Sequence, residues 1–395
     1  MKTLMIAPQP FFQPRGTPFS VLHRCKTLSK LGYEIDLLTY PIGQDVEIEN
    51  VNIIRSYQVP FIKNIAVGPS KPKIFLDMSL YAKAVRLLKQ NKYDLLHTHE
   101  EAGFMGIRLA RKFELLHLYD MHSSLPQQLN NFKYSKSQML LRVFDKLENA
   151  TIESANAVIT ICPELWHYVT NKFPGKFNKL IENVADNSTV FGEHKTDPEF
   201  KRRWNINGEK LILYTGTFEA YQGLDLLIQS SKCVVAEENN VKFLVVGGKP
   251  EQVEASKKLA EETGTADHFI FTGQRPPEEI PAFMDIADIL VSPRIEGNNT
   301  PLKIYSYLRS GIPVVATRHL THTQVLNDDV ALLTDITPDD FGAGILKAVQ
   351  DKSLVQKVVT NAQELSEREY SYEAYIKKTK EVYQYLEALL KRKRG

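Results

Sequence analysis

The sequence predicts an α/β protein built from two doubly wound parallel-sheet units, and three observations carry that prediction. The chain has 395 residues, more than one hydrophobic core usually organises, so length favours two domains. Short apolar runs alternate with longer segments of helical period, the pattern of parallel strands covered by helices. The cycle starts afresh near residue 190, after a polar, charged connection through His194 and Arg203.

The first unit opens with the apolar run Leu4-Met5-Ile6-Ala7, followed by a Pro- and Gly-bearing loop from Gln9 to Thr17. A helix is expected from about Pro18, with Val21, Leu22, Cys25, Leu28 and Leu31 on one stripe and Gly32 ending it. Strand-like runs then recur at Ile35 to Tyr40, Leu95-Leu96-His97, Leu115 to Tyr119 and Ala157 to Thr160. Between them lie helical stretches near Leu76 to Gln90, Gly103 to Lys112 and Ser137 to Ile152. The second series begins with Leu211-Ile212-Leu213-Tyr214 running into a Thr-Gly-Thr turn. It continues with Phe243 to Val246 before Gly247-Gly248, Phe269-Ile270-Phe271, Ile289-Leu290-Val291 and Val314-Val315-Ala316. A last helix, about Tyr372 to Lys391, ends in Lys391-Arg392-Lys393-Arg394, read as a solvated end whose charges suit the helix dipole.

Composition excludes several classes. With 43% apolar and 24% charged residues the chain is globular, not disordered. Lys plus Arg number 49 against 47 for Asp plus Glu, a balance that gives no bulk attraction to nucleic acid. Cys25, Cys162 and Cys233 are odd in number and far apart, which reads as buried reduced thiols and a cytoplasmic setting; an additional expectation, not drawn from the cysteines, is a place at the inner face of the membrane. The N-terminal apolar run is too brief for a secretory h-region, and no stretch reaches the ~18 apolar residues of a membrane span.

The richest segment for chemistry is Ser292-Pro293-Arg294-Ile295-Glu296-Gly297-Asn298-Asn299-Thr300-Pro301-Leu302-Lys303, with helical Ile304 to Ser310 after it. A strand feeds a polar loop that feeds a helix, and in open parallel sheets ligands bind at such carboxyl ends. Gly297 lets the backbone approach a ligand, Pro301 suits a first helical turn, and free amides with Lys303 would hold a diphosphate. Glu296 can accept hydrogen bonds from sugar hydroxyls. The plain alternative is a surface loop capped by Thr300.

His97 and His99, two apart at a strand end, are taken to face opposite sides, so that they make no metal pair by themselves and only one serves a site. Asp120 and His122 share one face of an extended segment, which permits a positioned pair; a satisfied interior histidine is the alternative. Glu100 and Glu101 open a helix and complement its dipole. Asp335, Asp339 and Asp340 read as caps of the helix that follows, not as a metal site. From residue 57 to 78 apolar residues interleave with Lys63, Lys71 and Lys73, which suits either a bilayer interface or a loop packed on its own domain.

The segment after Ser292 resembles the donor-binding region of family-4 glycosyltransferases, retaining enzymes of the GT-B fold. In that family a Glu-Gly at a strand end precedes a second Glu on the next helix and then Gly-x-Pro-Val-Val, here Gly311-Ile312-Pro313-Val314-Val315. The resemblance runs through almost the whole chain. Tyr214-Thr215-Gly216-Thr217, Gln222-Gly223-Leu224-Asp225-Leu226-Leu227, Val245-Val246-Gly247-Gly248 and Phe271-Thr272-Gly273 match successive strand ends and turns of the donor domain. In the first half, Pro14-Arg15-Gly16-Thr17-Pro18, His97-Thr98-His99-Glu100 and Asp120-Met121-His122 stand where the family has its glycine loop, His-x-His and cleft histidine.

The resemblance implies two Rossmann-like domains facing across a cleft: 1–190 on the acceptor side, 191–370 on the donor side, and a helix at 371–395 packing back on the first. It implies that Glu296 and the amides of Gly297, Asn298 and Asn299 read the sugar, and that Thr300, Pro301, Leu302 and Lys303 hold the diphosphate with Gly16, Thr217 and Gln222. Gly248, Gln274 and Ser306 would touch the nucleotide, and His122 would lie over the transferring sugar. No metal or other cofactor is implied, because amides and cations aimed at the leaving β-phosphate can stabilise its charge. The expected reaction is retaining transfer from a nucleotide-diphosphate sugar, a UDP-sugar first, to a glycan or lipid-linked acceptor. Three positions depart from the family. Ser306 replaces its second Glu, while Thr217 and Gln222 replace an Arg and a Lys, so Lys303, Arg294, Arg15 or Lys249 must supply the charge. Those losses keep open the reading of a silent sugar-nucleotide-binding or scaffold protein, and a GT-B-like sugar-nucleotide epimerase or hydrolase stands as a further alternative.

Overall fold

The computed structural model describes residues 1–13, 16–60, 62, 65, 70–124, 126, 138–182 and 198–394. The chain divides into two compact units, 1–183 together with 375–395, and 184–374.

The first unit holds β1 (Lys2–Ala7), β2 (Glu34–Thr39), β3 (Val51–Arg55), β4 (Leu95–His99), β5 (Leu116–Met121), β6 (Ala157–Thr160) and β7 (Asn178–Leu180). They form one parallel sheet in the order β3-β2-β1-β4-β5-β6-β7. The order reverses between β1 and β4, the point at which the loops leaving the two strands part to opposite faces. Sequence pattern missed β3 and β7 for a common reason. Both are edge strands whose residues are mostly half-buried, so neither carries a continuous apolar run.

The second unit holds β8 (Lys210–Thr215), β9 (Val241–Val246), β10 (Phe269–Gly273), β11 (Ile289–Ser292), β12 (Val314–Thr317) and β13 (Leu332–Thr334). These are again parallel, in the order β10-β9-β8-β11-β12-β13, with the reversal between β8 and β11. Alternate residues feed two cores, as a strand's two-residue repeat requires. Leu213, Leu244, Val246, Leu290 and Val314 pack with Ile304 and Leu308 of the helix Lys303–Arg309. Ile212, Tyr214, Val245, Val291 and Val315 pack on the other face with Leu227 and Phe341.

The final helix, Tyr372–Arg394, belongs from Tyr375 onward to the first unit. Tyr375, Val382, Tyr383 and Leu386 are buried there, Tyr385 stacks on Phe177 at 4.0 Å, and Lys378 pairs with Glu182 at 2.9 Å. Its basic end is more than a solvated terminus. Lys393 donates to the Glu114 carbonyl and Arg394 to Asp94, tying that end to the sheet it covers. All three cysteines are free, Cys25 and Cys162 buried and Cys233 half-buried. Among the described residues no helix is long and apolar enough to cross a membrane.

Candidate active site

In the second unit, the loops leaving β8 and β11 flank the reversal point of the sheet. Gly223 ends the first of them at φ +71, where a Cβ would lie 1.9 Å from the Pro293 carbonyl oxygen. Only glycine lets these two loops touch. Gly297 adopts φ +112, and a Cβ there would stand 2.4 Å from Arg294 Nη2. Arg294 uses that space to donate from Nε to the Glu296 carbonyl at 2.8 Å, its guanidinium 5.0 Å from the Tyr221 ring centre. The Glu296 side chain is left exposed.

Lys303 bridges the reversal point. Its Nζ donates to the Thr215 carbonyl at the end of β8, 3.1 Å away, and lies 4.3 Å from the Tyr214 ring centre. Burial, with Arg294 adding repulsion, pushes its pKa down to about 7. Nearby polar groups are also short of partners: Thr300 Oγ1 and Gln222 Oε1 are buried without a hydrogen bond. Thr300 is therefore not the helix cap. The helix starts at Lys303 with Leu302 in the capping position and no side-chain cap, so Pro301 precedes the first turn instead of opening it. Asn298 offers its carbonyl to Gln324 at 2.5 Å, Asn299 and Ser306 are half-buried, and Thr217 and Gln274 are exposed. Gly248, at φ +81, lies under the Phe218 ring, where a Cβ would come within 2.5 Å. Gly16 begins the helix Gly16–Lys30 in the first unit, and Arg15 lies outside the described residues.

The first unit gathers an interior polar cluster at the ends of β4 and β5. Asp120 is fully buried and stands 3.0 Å from Arg24 Nε, 3.3 Å from His97 Nε2, 3.7 Å from His99 Nδ1 and 3.3 Å from His122 Nε2. Burial opposes its charge, yet Arg24, His122 and His99 hold its pKa well below the usual carboxylate range. Burial keeps the imidazoles neutral despite Asp120: His97 is lowered, His99 lowered far more, and His122 lowered to about 4. His97 and His99 do not face opposite sides. Residues two apart on a strand share a face, and their rings stack at 4.7 Å. With Asp120 they offer three possible ligand atoms within 4.8 Å of one another. Arg24 already neutralises that carboxylate, so a dication would stand beside a buried guanidinium.

Glu100 and Glu101 also do more than complement a dipole. Glu100 takes a left-handed φ of +48 and accepts from Thr17 Oγ1 at 3.2 Å. Glu101 pairs with Lys73 at 3.2 Å, and Tyr40 donates to Asp77 at 2.5 Å. Burial and the neighbouring Glu101 push both Glu100 and Asp77 up to about 7. Lys73 thus turns inward, Lys63 lies outside the described residues, and among the described residues of that stretch Tyr57, Ile74, Phe75 and Met78 are exposed large side chains with apolar surface. Among the three C-terminal aspartates, none caps by itself. Thr337 caps the helix Pro338–Gln350 by accepting from the Asp340 amide, with Asp339 and Asp340 in its first turn.

Arg24 was missed in sequence, although a signal existed. It lies three residues after Val21 and four before Leu28, on the helix's apolar stripe, where a charge requires a buried partner. His322 was missed too: it bridges Ser292 Oγ at 2.8 Å and the Thr317 carbonyl at 2.9 Å, tying β11 to β12 behind the Glu296 loop.

Two doubly wound parallel-sheet units, with a cation and underbonded loop at the reversal point of the second, define a protein of the GT-B class. Sucrose-phosphate synthase from Thermosynechococcus elongatus shares this fold, with a TM-score of 0.79, 19% identity, and coverage of 98% of this chain and 99% of that one. So does the Anabaena protein HepE in complex with UDP-glucose, with a TM-score of 0.74, 16% identity, and coverage of 97% and 99%. Residues 14–181 match the model described as Glycosyltransferase Family 4, and residues 196–365 that of glycosyl transferases group 1. The chain belongs to the family-4 glycosyltransferases, and it is a glycosyltransferase. Among curated relatives, the alpha-monoglucosyldiacylglycerol synthase of Streptococcus pneumoniae is 24% identical over 92% of this chain and 80% of its own length.

Proposed function

We propose that this enzyme is a retaining glycosyltransferase that moves a sugar from a UDP-sugar to a lipid-linked or glycan acceptor without a metal ion. The observation that carries the reading is Lys303, a desolvated cation beside the unpartnered Thr300 hydroxyl at the reversal point of the second sheet. A diphosphate there would restore the charge on Lys303 and complete the hydrogen bonding of Thr300. The same cation would stabilise the leaving phosphate, supplying the electrostatic help that a metal supplies elsewhere. Glu296, exposed beside these groups, would accept from the sugar hydroxyls, and His122 would stand against the transferring sugar. The UDP-glucose bound by the Anabaena neighbour and the diacylglycerol in the name of the Streptococcus relative favour a UDP-hexose and a lipid acceptor. Exposed Ile74, Phe75 and Met78 are suited to that acceptor's apolar part.

The test is a thermal-shift screen of UDP- and GDP-sugars, followed by transfer assays on diacylglycerol vesicles and on oligosaccharides with and without EDTA. A productive donor at a hundredfold excess over its Kd should stabilise the fold by about 3 kcal/mol. NMR of the product should show the donor's anomeric configuration. An inverted product, loss of turnover in EDTA, or donor cleavage equally fast without acceptor would each overturn the corresponding part of the proposal.

A further inference from the structure

We propose that Asp120 is a positioning residue for His122, and that the C-terminal helix completes this arrangement by locking Asp120 through Tyr383 and Thr379. The proposal rests on the reading that sets His122 against the transferring sugar.

The geometry runs outward from one carboxylate. Asp120 Oδ2 accepts from Arg24 Nε at 3.0 Å and from His97 Nε2 at 3.3 Å. With Nε2 donating, the neutral His97 ring must accept at Nδ1, and Tyr383 donates its hydroxyl there at 3.0 Å. Arg24 in turn donates from Nη1 to Thr379 Oγ1 at 2.9 Å, and its guanidinium lies 4.9 Å from the Tyr375 ring centre. Tyr375, Thr379 and Tyr383 are spaced by four residues, so one stripe of the last helix delivers all three to the cluster.

Oδ2 is thereby fixed from two sides, while Oδ1 is buried without a hydrogen bond. His122 Nε2 stands 3.3 Å from that oxygen and 2.9 Å from His99 Nδ1. A carboxylate held rigidly on Oδ2 presents Oδ1 at one place, where its charge, 3.3 Å from His122 Nε2, favours a proton on that nitrogen and so fixes the tautomer that can donate to His99 Nδ1. Two neighbouring features point the same way. Asp120 and His122 are joined through one residue of backbone, and His99 pairs with Asp120 across β4 and β5, so these two neighbours of the ring are set by the sheet. A buried ion pair among three imidazoles is a poor way to gain stability, since apolar side chains of similar volume serve as well or better. Its place here is explained by the orientation it imposes.

The experiment uses the full chain with a UDP-sugar found active in the screen, reading kcat, KM and the affinity for UDP in Tyr383→Phe, Thr379→Val and Asp120→Asn. Tyr383→Phe keeps the ring and removes only the hydroxyl. It should lower kcat by about 10-fold, as loss of an orienting outer partner does at other sites, with UDP affinity unchanged. The His122 imidazole resonance in a 15N spectrum should shift. Asp120→Asn should lower kcat further, and Tyr383→Phe keeps the test open should that variant not fold. Unchanged kcat and an unmoved His122 resonance in Tyr383→Phe would overturn the proposal. Full turnover in His122→Ala would overturn the underlying reading instead, a distinct result.

Discussion

The polar interior of the first unit and the Glu296 loop of the second solve opposite problems. Around Asp120 the charge is buried but matched, with Arg24 neutralising the carboxylate and His97 carrying the bonding on to Tyr383, although Asp120 Oδ1 and His99 Nε2 make no hydrogen bond. Around Lys303, groups are left wanting: a cation with its pKa pushed down to about 7 and a buried hydroxyl without a partner. A matched cluster holds a geometry before any ligand arrives, whereas an underbonded one gains by receiving an anion. The difference sets a region whose charge is neutralised within the protein against one that holds an unneutralised cation.

Breaking the matched cluster should have the largest effect. Asp120→Ala leaves a buried guanidinium uncompensated and should cost roughly 3–5 kcal/mol in urea unfolding, while Arg24→Met with Asp120→Leu should recover most of it. Lys303→Ala should do the reverse, lowering kcat/KM by about 100- to 1000-fold in the transfer assay without lowering Tm, because a desolvated cation has been removed. If Lys303→Ala melted earlier than the parent chain, the contrast between the two regions would fail.

Glu296→Gln should sharpen the comparison at smaller cost. The side chain is exposed, so unfolding free energy should stay within about 0.5 kcal/mol, while turnover should fall by about 10- to 100-fold from the lost charged hydrogen bond. The mildest effect is on pH dependence. Asp77 and Glu100 have folded pKa values raised to about 7, above their ordinary values near 4. Between those values the folded chain binds the protons and the unfolded chain does not. Their contribution to stability is therefore present below the ordinary carboxylate pKa and lost as pH rises through 7. Urea midpoints measured from pH 5 to 8 should show the decline, and Asp77→Asn should flatten it.

Much of the fold was legible because buried parallel strands announce themselves. β1, β4, β8, β9, β11 and β12 each appear as a short apolar run, and the Gly turns after β8 and β9 punctuate them. β3, β7 and β13 were not seen, being short or half-exposed edges whose residues carry weaker hydrophobic signals. In the loop after β11, the need for glycine at Gly297 was legible in sequence, since its left-handed φ of +112 suits no other residue well. The partner of Lys303 was not, because Thr215 contributes only its carbonyl, and a main-chain oxygen leaves no mark in sequence.

By itself the sequence determined the two α/β units, the strand-end loop and the residue types that loop carries, because these follow from local period and backbone allowance. Only the tertiary structure decided which side chains meet. Arg24 comes from the first helix, His97 and His99 from β4, Asp120 and His122 from β5 and its end, and Thr379 and Tyr383 from the last helix. Their convergence depends on strand order and on the return of the chain's final helix to the first sheet. Residues hundreds of positions apart leave no shared period to read, and only the packed core brings them within a hydrogen bond of one another.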